Sequence, residues 1–110
     1  MDTSMNSRQD CIEECLRCYR TCFEMAMTHC LEMGGRHVAA PHFRIMMACS
    51  EICRTTAHFM LMRSEHERHL CRECAEICEQ CAKDCEALGD MDECVAQCRA
   101  CAKTCRAMAG

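Results

Sequence analysis

The stretch CRECAEICEQCAKDC, residues 71–85, carries five cysteines at gaps of three, four, three and four residues. Residues three and four apart lie on one face of an α-helix, whereas a zinc knuckle holds its cysteine pair in a turn. At about 100° per residue, the five cysteines form a stripe about 80° wide. The spacing therefore predicts a helix with one face lined by thiols.

The same spacing recurs in three other parts of the chain. CIEECLRCYRTC (11–22) and CVAQCRACAKTC (94–105) both have gaps of four, three and four, and CSEIC (49–53) has one gap of four. Each set falls in a stripe about 60° wide or narrower. An alternation of three and four is the pattern that faces the axis of a helical bundle. Fifteen thiols therefore occupy positions that leucine and isoleucine normally fill.

Few chain breakers interrupt these helical patterns, and they divide the chain into four segments. Ser64 and Glu67 have the spacing of a capping box. The breakers and capping residues are, in order, Gly34, Gly35, Pro41, Ser64, Glu67, Gly89 and Asp90. We expect one domain with helices at about residues 7–33, 41–63, 65–88 and 91–108. Because the connections are short, the predicted fold is all-α: an antiparallel up-down-up-down four-helix bundle with a cysteine-lined interior.

The composition argues against several classes of protein. A net charge of −4 offers no basic footprint for nucleic acid. No run of about 18 apolar residues is present, so we predict no membrane span. The N-terminal stretch MDTSMNSRQDCIEEC lacks the basic and apolar regions of a secretory signal. We therefore expect a cytoplasmic protein, in a reducing compartment where its sixteen cysteines remain thiols.

Thiols at this density require cations if they ionise. Sixteen thiolates would take the net charge to about −20, which no compact core tolerates. Soft thiolates select Cu(I), with zinc and iron–sulfur clusters as competitors. If each thiolate bridges two two-coordinate ions, about one Cu(I) per cysteine neutralises the interior, on the order of fifteen ions per chain. Divalent zinc in tetrathiolate sites would leave negative charge in the closed bundle, so we rank it lower.

The candidate ligands are the thiols that face the bundle axis. Cys30 is the exception, because it lies about 90° from the stripe of its own helix. It falls in line with Ile12 and Leu16, and we interpret it as a packed thiol rather than a ligand. The axial thiols are Cys11, Cys15, Cys18, Cys22, Cys49, Cys53, Cys71, Cys74, Cys78, Cys81, Cys85, Cys94, Cys98, Cys101 and Cys105.

Histidines and methionines are expected to gather at one end of the bundle. In an antiparallel bundle the end of helix 1 meets the start of helix 2, the end of helix 3 and the start of helix 4. A single methionine there is as readily core filler as ligand, but a histidine pair favours a role in metal transfer. The candidates are Met25, His29, Met33, His42 and Met46, with Met91 above Cys85 and Cys94. His58, His66 and His69 are predicted to point outward, and His37 in the loop is left unassigned.

The cysteine series on all four helices resembles that of the bacterial copper storage proteins that form cysteine-rich four-helix bundles, specifically their cytosolic branch. The likeness is carried by CIEECLRCYRTC, CSEIC, CRECAEICEQCAKDC and CVAQCRACAKTC. It implies a homotetramer whose bundles fill with Cu(I), each ion bound mainly by two thiolates. It also implies that copper enters through an open end that carries histidine and methionine. The two-cysteine second helix and the position of Cys30 depart from that pattern.

Other functions predict different behaviour. We expect no enzyme, because the thiols are alike and no base singles out one of them as a nucleophile. A structural or regulatory module built on zinc or an iron–sulfur cluster would bind a few ions and unfold on chelation. A thiol redox sensor would form reversible disulfides. A disulfide framework fits poorly, because cysteines on one helix face have nearly parallel Cα–Cβ vectors.

Overall fold

The structure is a computed structural model that describes residues 3–110, with side chains from Ser7 onward. Met1 and Asp2, the first residues of the stretch in which we predict no secretory signal, lie outside the described residues. Over residues 3–110 all regular secondary structure is helical. No helix in that range combines the length and the apolar character that crossing a membrane demands.

Four long helical segments account for most of the chain. In order, the elements are α1 (Thr3–Met25), a π-helical turn (Ala26–Cys30), a final α-helical turn (Leu31–Met33), a 3-10 turn (Gly35–Val38), α2 (Ala40–Leu61), α3 (Glu67–Leu88) and α4 (Asp92–Ala109). The body measures 48 × 19 × 18 Å, so the helices run along its length.

Contacts between helix ends establish the antiparallel order. Met60, near the end of α2, lies 3.8 Å (Sδ to Sγ) from Cys71 in the first turns of α3. Cys11 near the start of α1 lies 3.6 Å from Cys105 near the end of α4. Each helix packs against its two neighbours in sequence, α4 returns to α1, and α1 faces α3 across the diagonal. The predicted bundle is confirmed.

The interior is made of sulfur and small side chains. All sixteen cysteines have no exposed surface, and alanines between them let the helices approach closely. Residues such as Leu16, Phe43, Ile52 and Ile77 pack on the shoulders of this core and remain partly buried. Because the cysteines supply limited apolar area, these shoulder residues contribute much of the hydrophobic stabilisation.

The helix boundaries follow the predicted glycines but not the predicted caps. Gly34 and Gly89 end their helices with φ values of 65° and 89° and ψ values of −156° and 162°, a conformation that glycine adopts readily and other residues rarely do. The capping box at Ser64 is wrong: α3 begins at Glu67, whose carboxylate binds Arg8 of α1 instead. Asp90 likewise does not cap α4, since Met91 precedes the helix and no side chain bonds the first amides.

The π-helical turn changes which residues of the first helix face the axis. Cys18, Cys22, Ala26 and Cys30 are all buried, although they are spaced by four residues. Three four-residue gaps drift by about 120° in a regular α-helix. The π turn accommodates about one extra residue and cancels this drift. The predicted off-axis position of Cys30 is therefore wrong, and its thiol belongs to the interior.

Candidate metal centre

The thiols of the four helices converge into one continuous column. Their Sγ atoms approach across helices to between 3.2 Å (Cys22 to Cys94) and 4.0 Å (Cys18 to Cys49). All sixteen cysteines are free thiols. Thiols this close share a single metal ion with only small changes of rotamer, so the column offers ligand pairs along its whole length.

Within the column, cysteines form overlapping groups of four whose Sγ atoms all lie within 4.8 Å of one another. We number five of these groups from the end that carries His42 and Met46. They are the first (Cys22, Cys81, Cys94, Cys98), second (Cys18, Cys22, Cys49, Cys98), third (Cys18, Cys49, Cys53, Cys78), fourth (Cys53, Cys74, Cys78, Cys101) and fifth (Cys15, Cys74, Cys101, Cys105). Each group shares two cysteines with the next.

Hydrogen bonds among the thiols lower the pKa of some cysteines and raise the pKa of others. Bonds from Cys18 and Cys22 lower the pKa of Cys49, because they stabilise its thiolate. A bond with Cys22 lowers the pKa of Cys94 to about 6. Bonds with Cys18, Cys22 and Cys49 instead raise the pKa of Cys98. A metal that fills the column must displace the thiol protons, so metal binding releases protons.

A mixed cluster of nitrogen and sulfur ligands closes one end of the column. His42 is buried, and its Nδ1 lies 2.6 Å from Oδ2 of Asp84. Its Nε2 lies 3.6 Å from Sγ of Cys30, which is 3.9 Å from Sδ of Met91. A carboxylate that accepts the Nδ1 proton leaves Nε2 as the ligating nitrogen. Asp84 therefore orients the imidazole towards Cys30.

Two further histidines extend this cluster outward. The ring of His37 lies 5.3 Å from that of His29 and 6.3 Å from that of His42 (centroid distances). The Nε2 atoms of His29 and His37 are buried, with no hydrogen-bond partner in the part of the chain that the structure describes. A buried ring nitrogen without a partner favours a ligand at that position. We call His29, His37 and His42 the histidine row.

The structure separates the predicted end-of-bundle residues into two sets. Met46 and His42 are interior, and Sδ of Met46 lies 3.5 Å from Sγ of Cys85. Met25, His29 and Met33 instead line a surface depression of about 560 Å³ with Asp90, Asp92 and Glu93. Met33 is 51% exposed, because the π turn rotates it away from the axis.

Sequence reasoning missed three residues of this end. Cys30 was placed off the axis because a π turn has no sequence signature, although the four-residue spacing of buried positions hinted at it. His37 was left unassigned because it lies in the 3-10 turn. Asp84 was not among the candidate residues, but its carboxylate lies 2.6 Å from Nδ1 of His42. The exposed positions of His58, His66 and His69 are confirmed.

The opposite end of the column is closed by an ion pair. Arg8 Nε lies 2.8 Å from Oε1 of Glu67, and Nη2 lies 3.2 Å from Oε2. Because α1 and α3 are diagonal helices, this bidentate pair spans the bundle about one helical turn before Cys11 and Cys71 in the sequence, beside a surface depression of about 350 Å³ that Arg8 and Glu67 also line. Glu67 is buried there, which shields the pair from water.

Comparisons with known proteins agree with this geometry. The family model described as "Copper storage protein" matches residues 4–110. A crystal structure of the Nmul_A1745 protein from Nitrosospira multiformis is 56% identical, with a TM-score of 0.92, over 94% of this chain and 95% of that one.

Two further relatives are structures of one protein type. The Cu(I)-bound copper storage protein BsCsp3 is 31% identical, with a TM-score of 0.87, over 94% of this chain and 99% of that one. The apo form of copper storage protein 3 from Bacillus subtilis has a TM-score of 0.77 at 31% identity, over 93% and 98% of the two chains.

A sequence relative, the cysteine-rich protein YhjQ of Bacillus subtilis (strain 168), is 35% identical over 67 residues, 61% of each chain.

Proposed function

The chain belongs to the copper storage protein family, and from that premise we propose that it stores and buffers many Cu(I) ions in the cytoplasm and catalyses no reaction. The observation that carries this proposal is the unbroken column of fifteen buried thiols, beyond which the buried thiol of Cys30 contacts His42 and Met91. Their Sγ atoms are spaced so that neighbouring pairs from different helices point at common positions.

Charge explains why such a column suits a monovalent ion. Each Cu(I) that replaces one thiol proton leaves the net charge of the interior unchanged. A buried site can therefore be filled repeatedly without accumulating charge in a medium of low dielectric constant. The similarity of the thiols also supports storage over catalysis, since a nucleophile needs an adjacent base and access to a substrate. Cys30 is the one thiol with a described histidine within hydrogen-bond distance, and it has no exposed surface through which a substrate could reach it.

We predict a capacity on the order of fifteen Cu(I) ions per chain. The reduced protein is titrated anaerobically with Cu(I) against a chromophoric chelator of known affinity. The expected result is saturation near the number of cysteines, because each thiolate bridges two ions. Saturation at one to four ions would contradict storage and favour a structural metal site.

Copper enters, on this proposal, through the end that carries the histidine row. The acidic depression lined by Met25, His29 and Met33 lies outside this row. His42 with Cys30 and Met91 stands between the row and the column, and Met46 contacts Cys81, Cys85 and Cys94 inside it. Ligands are thus continuous from the surface to the first thiol group. The far end offers no such series among the described side chains, because Arg8 and Glu67 cover it.

Replacing His29 and His42 by Ala is expected to slow copper loading and removal about tenfold or more while leaving the capacity nearly intact, since the loss of the two ligands together raises the barrier by at least about 1.4 kcal/mol. Stopped-flow transfer of Cu(I) to and from a chelator measures the rates, and equilibrium titration measures the capacity. The double variant of His58 and His69, both exposed, is the matched control. A large loss of capacity in the first variant would show instead that these histidines are storage ligands.

Self-association is also part of the proposal. The family resemblance implies a homotetramer, and an exposed apolar band supports it. Leu31, Val38 and Phe23 are 53%, 38% and 41% exposed, and Phe43 and Met47 line a neighbouring groove. Contiguous apolar surface of this kind typically marks a protein interface.

A further inference from the structure

The second thiol group has the dimensions of a tetrahedral metal site. Its six Sγ–Sγ distances are 3.9, 4.0, 3.9, 4.0, 3.5 and 3.8 Å, for the pairs Cys18–Cys22, Cys18–Cys49, Cys18–Cys98, Cys22–Cys49, Cys22–Cys98 and Cys49–Cys98. A tetrahedron with edges of this length has its centre about 2.4 Å from each corner, close to the zinc–thiolate bond of about 2.3 Å. The four thiols are thus preorganised around one ion. The Sγ atoms of the first, third and fifth groups also lie within 4.8 Å of one another, so small changes of rotamer bring these groups to the same size.

The ligands of this group come from rigid parts of the fold. Two of them lie on α1, one on α2 and one on α4, and none has exposed surface. Four sulfurs at equal spacing around one point match the preference of divalent d10 ions such as Zn(II). A two-coordinate Cu(I) uses only two nearly collinear sulfurs, so it does not require this arrangement.

The overlap between groups sets the number of tetrahedral ions that the column can hold. The first, third and fifth groups have no cysteine in common and together use twelve thiols. The second and fourth groups share two cysteines with each of their neighbours. A four-coordinate ion in one group therefore blocks the adjacent groups, and these five groups hold at most three ions at once.

We propose that the copper-free protein binds Zn(II), or another divalent ion that prefers four thiolates, at three tetrathiolate sites per chain. This inference goes beyond copper storage and concerns the same column in its copper-poor state. Each Zn(II) displaces four thiol protons to the solvent and forms four metal–sulfur bonds. No electron transfer is involved.

Charge sets the order of preference between the two metals. A zinc ion with four thiolates leaves two negative charges in the interior, whereas Cu(I) at one ion per thiolate leaves none. Incoming Cu(I) therefore displaces the zinc, and zinc does not displace copper. The copper-poor protein is on this account a zinc protein that releases its zinc as copper loads.

The test titrates the reduced, metal-free protein with Zn(II) under anaerobic conditions against a chromophoric zinc chelator. Saturation at three ions per chain is expected, followed by complete release of zinc when Cu(I) is added. Co(II), used as a spectroscopic substitute, is expected to give the intense visible bands of tetrahedral thiolate coordination. Failure to retain zinc, saturation at one ion, or the weak spectrum of octahedral cobalt would overturn the inference.

The same protein preparation is titrated with Cu(I) in parallel, which separates the two proposals. A copper capacity near the number of cysteines without three zinc sites overturns the zinc inference alone. Loss of both capacities counts against copper storage as well, and circular dichroism shows whether the preparation is folded.

A pair of matched variants tests the grouping of the thiols. The Cys49→Ser/Cys98→Ser variant breaks the first, second and third groups and leaves the fourth and fifth, which share two cysteines, so its zinc capacity is expected to fall to one. The Cys30→Ser/Cys71→Ser variant also loses two thiols but leaves the first, third and fifth groups intact. It is expected to keep three zinc ions, while both variants lose copper capacity equally. Equal zinc capacities in the two variants would contradict the grouping.

Discussion

Loading with Cu(I) is expected to raise the unfolding temperature of the protein by more than about 20 °C. An ion that binds only the folded state stabilises it by about 2.7 kcal/mol at a free concentration one hundred times its dissociation constant. A few such sites already match the total stability of a small domain, about 5–15 kcal/mol. Here the ions also bridge helices, since Cys22 of α1 and Cys94 of α4 are only 3.2 Å apart.

Thermal unfolding followed by circular dichroism at increasing copper loading measures this effect. Removal of the copper with an excess of a Cu(I) chelator is the control, and it should restore the original unfolding temperature. A shift below about 5 °C at full loading would mean that the ions bind outside the bundle interior or bind the unfolded chain equally well.

Deleting Thr28 is expected to change the unfolding temperature by less than about 5 °C, whereas deleting Arg20 should lower it by at least about 15 °C. Thr28 is an exposed residue of the π turn, and its removal converts that turn to a regular α-helical one while Cys30 stays on the axis. Arg20 is equally exposed but lies in regular helix. Its removal rotates Cys22 by about 100° out of the core, which costs about 3 kcal/mol or more.

The two deletions remove one exposed residue each from the same helix, so each is the control for the other. Thermal unfolding gives the stability, and Cu(I) titration shows whether Cys22 and Cys30 remain in the column. Equal losses of stability in both variants would show that the π turn does not correct the register of the helix.

The part of the site that follows helical periodicity was predictable from the sequence. Gaps of three and four residues predicted an interior position for fifteen cysteines, and all fifteen are buried. Gly34 and Gly89 marked helix ends correctly, because a positive φ is a local property of glycine. These features depend only on neighbours in the chain.

The features that the sequence did not reveal depend on partners far away in the chain. Glu67 matched a capping box, but Arg8, fifty-nine residues earlier, binds its carboxylate in the folded bundle. The role of Asp84 depends on His42, forty-two residues earlier in the chain, whose Nδ1 lies 2.6 Å from its carboxylate in the folded bundle. Cys30 depends on a π turn, which forms because four helices must align their buried faces and not because of any local motif.

The Arg8–Glu67 pair spans the end of the column opposite the histidine row, so under the proposed loading route copper enters the column from one end. If copper loads at the histidine row, as proposed, the ions that bind first lie farthest from this end of the column. These ions would also be the last to leave. On that proposal, copper nearest His42 would be a current supply, and copper beside Cys11 and Cys105 would be a long-term reserve. During a brief demand for copper, only the most recently bound ions would be exchanged. The order in which ions leave would be the reverse of the order in which they bound.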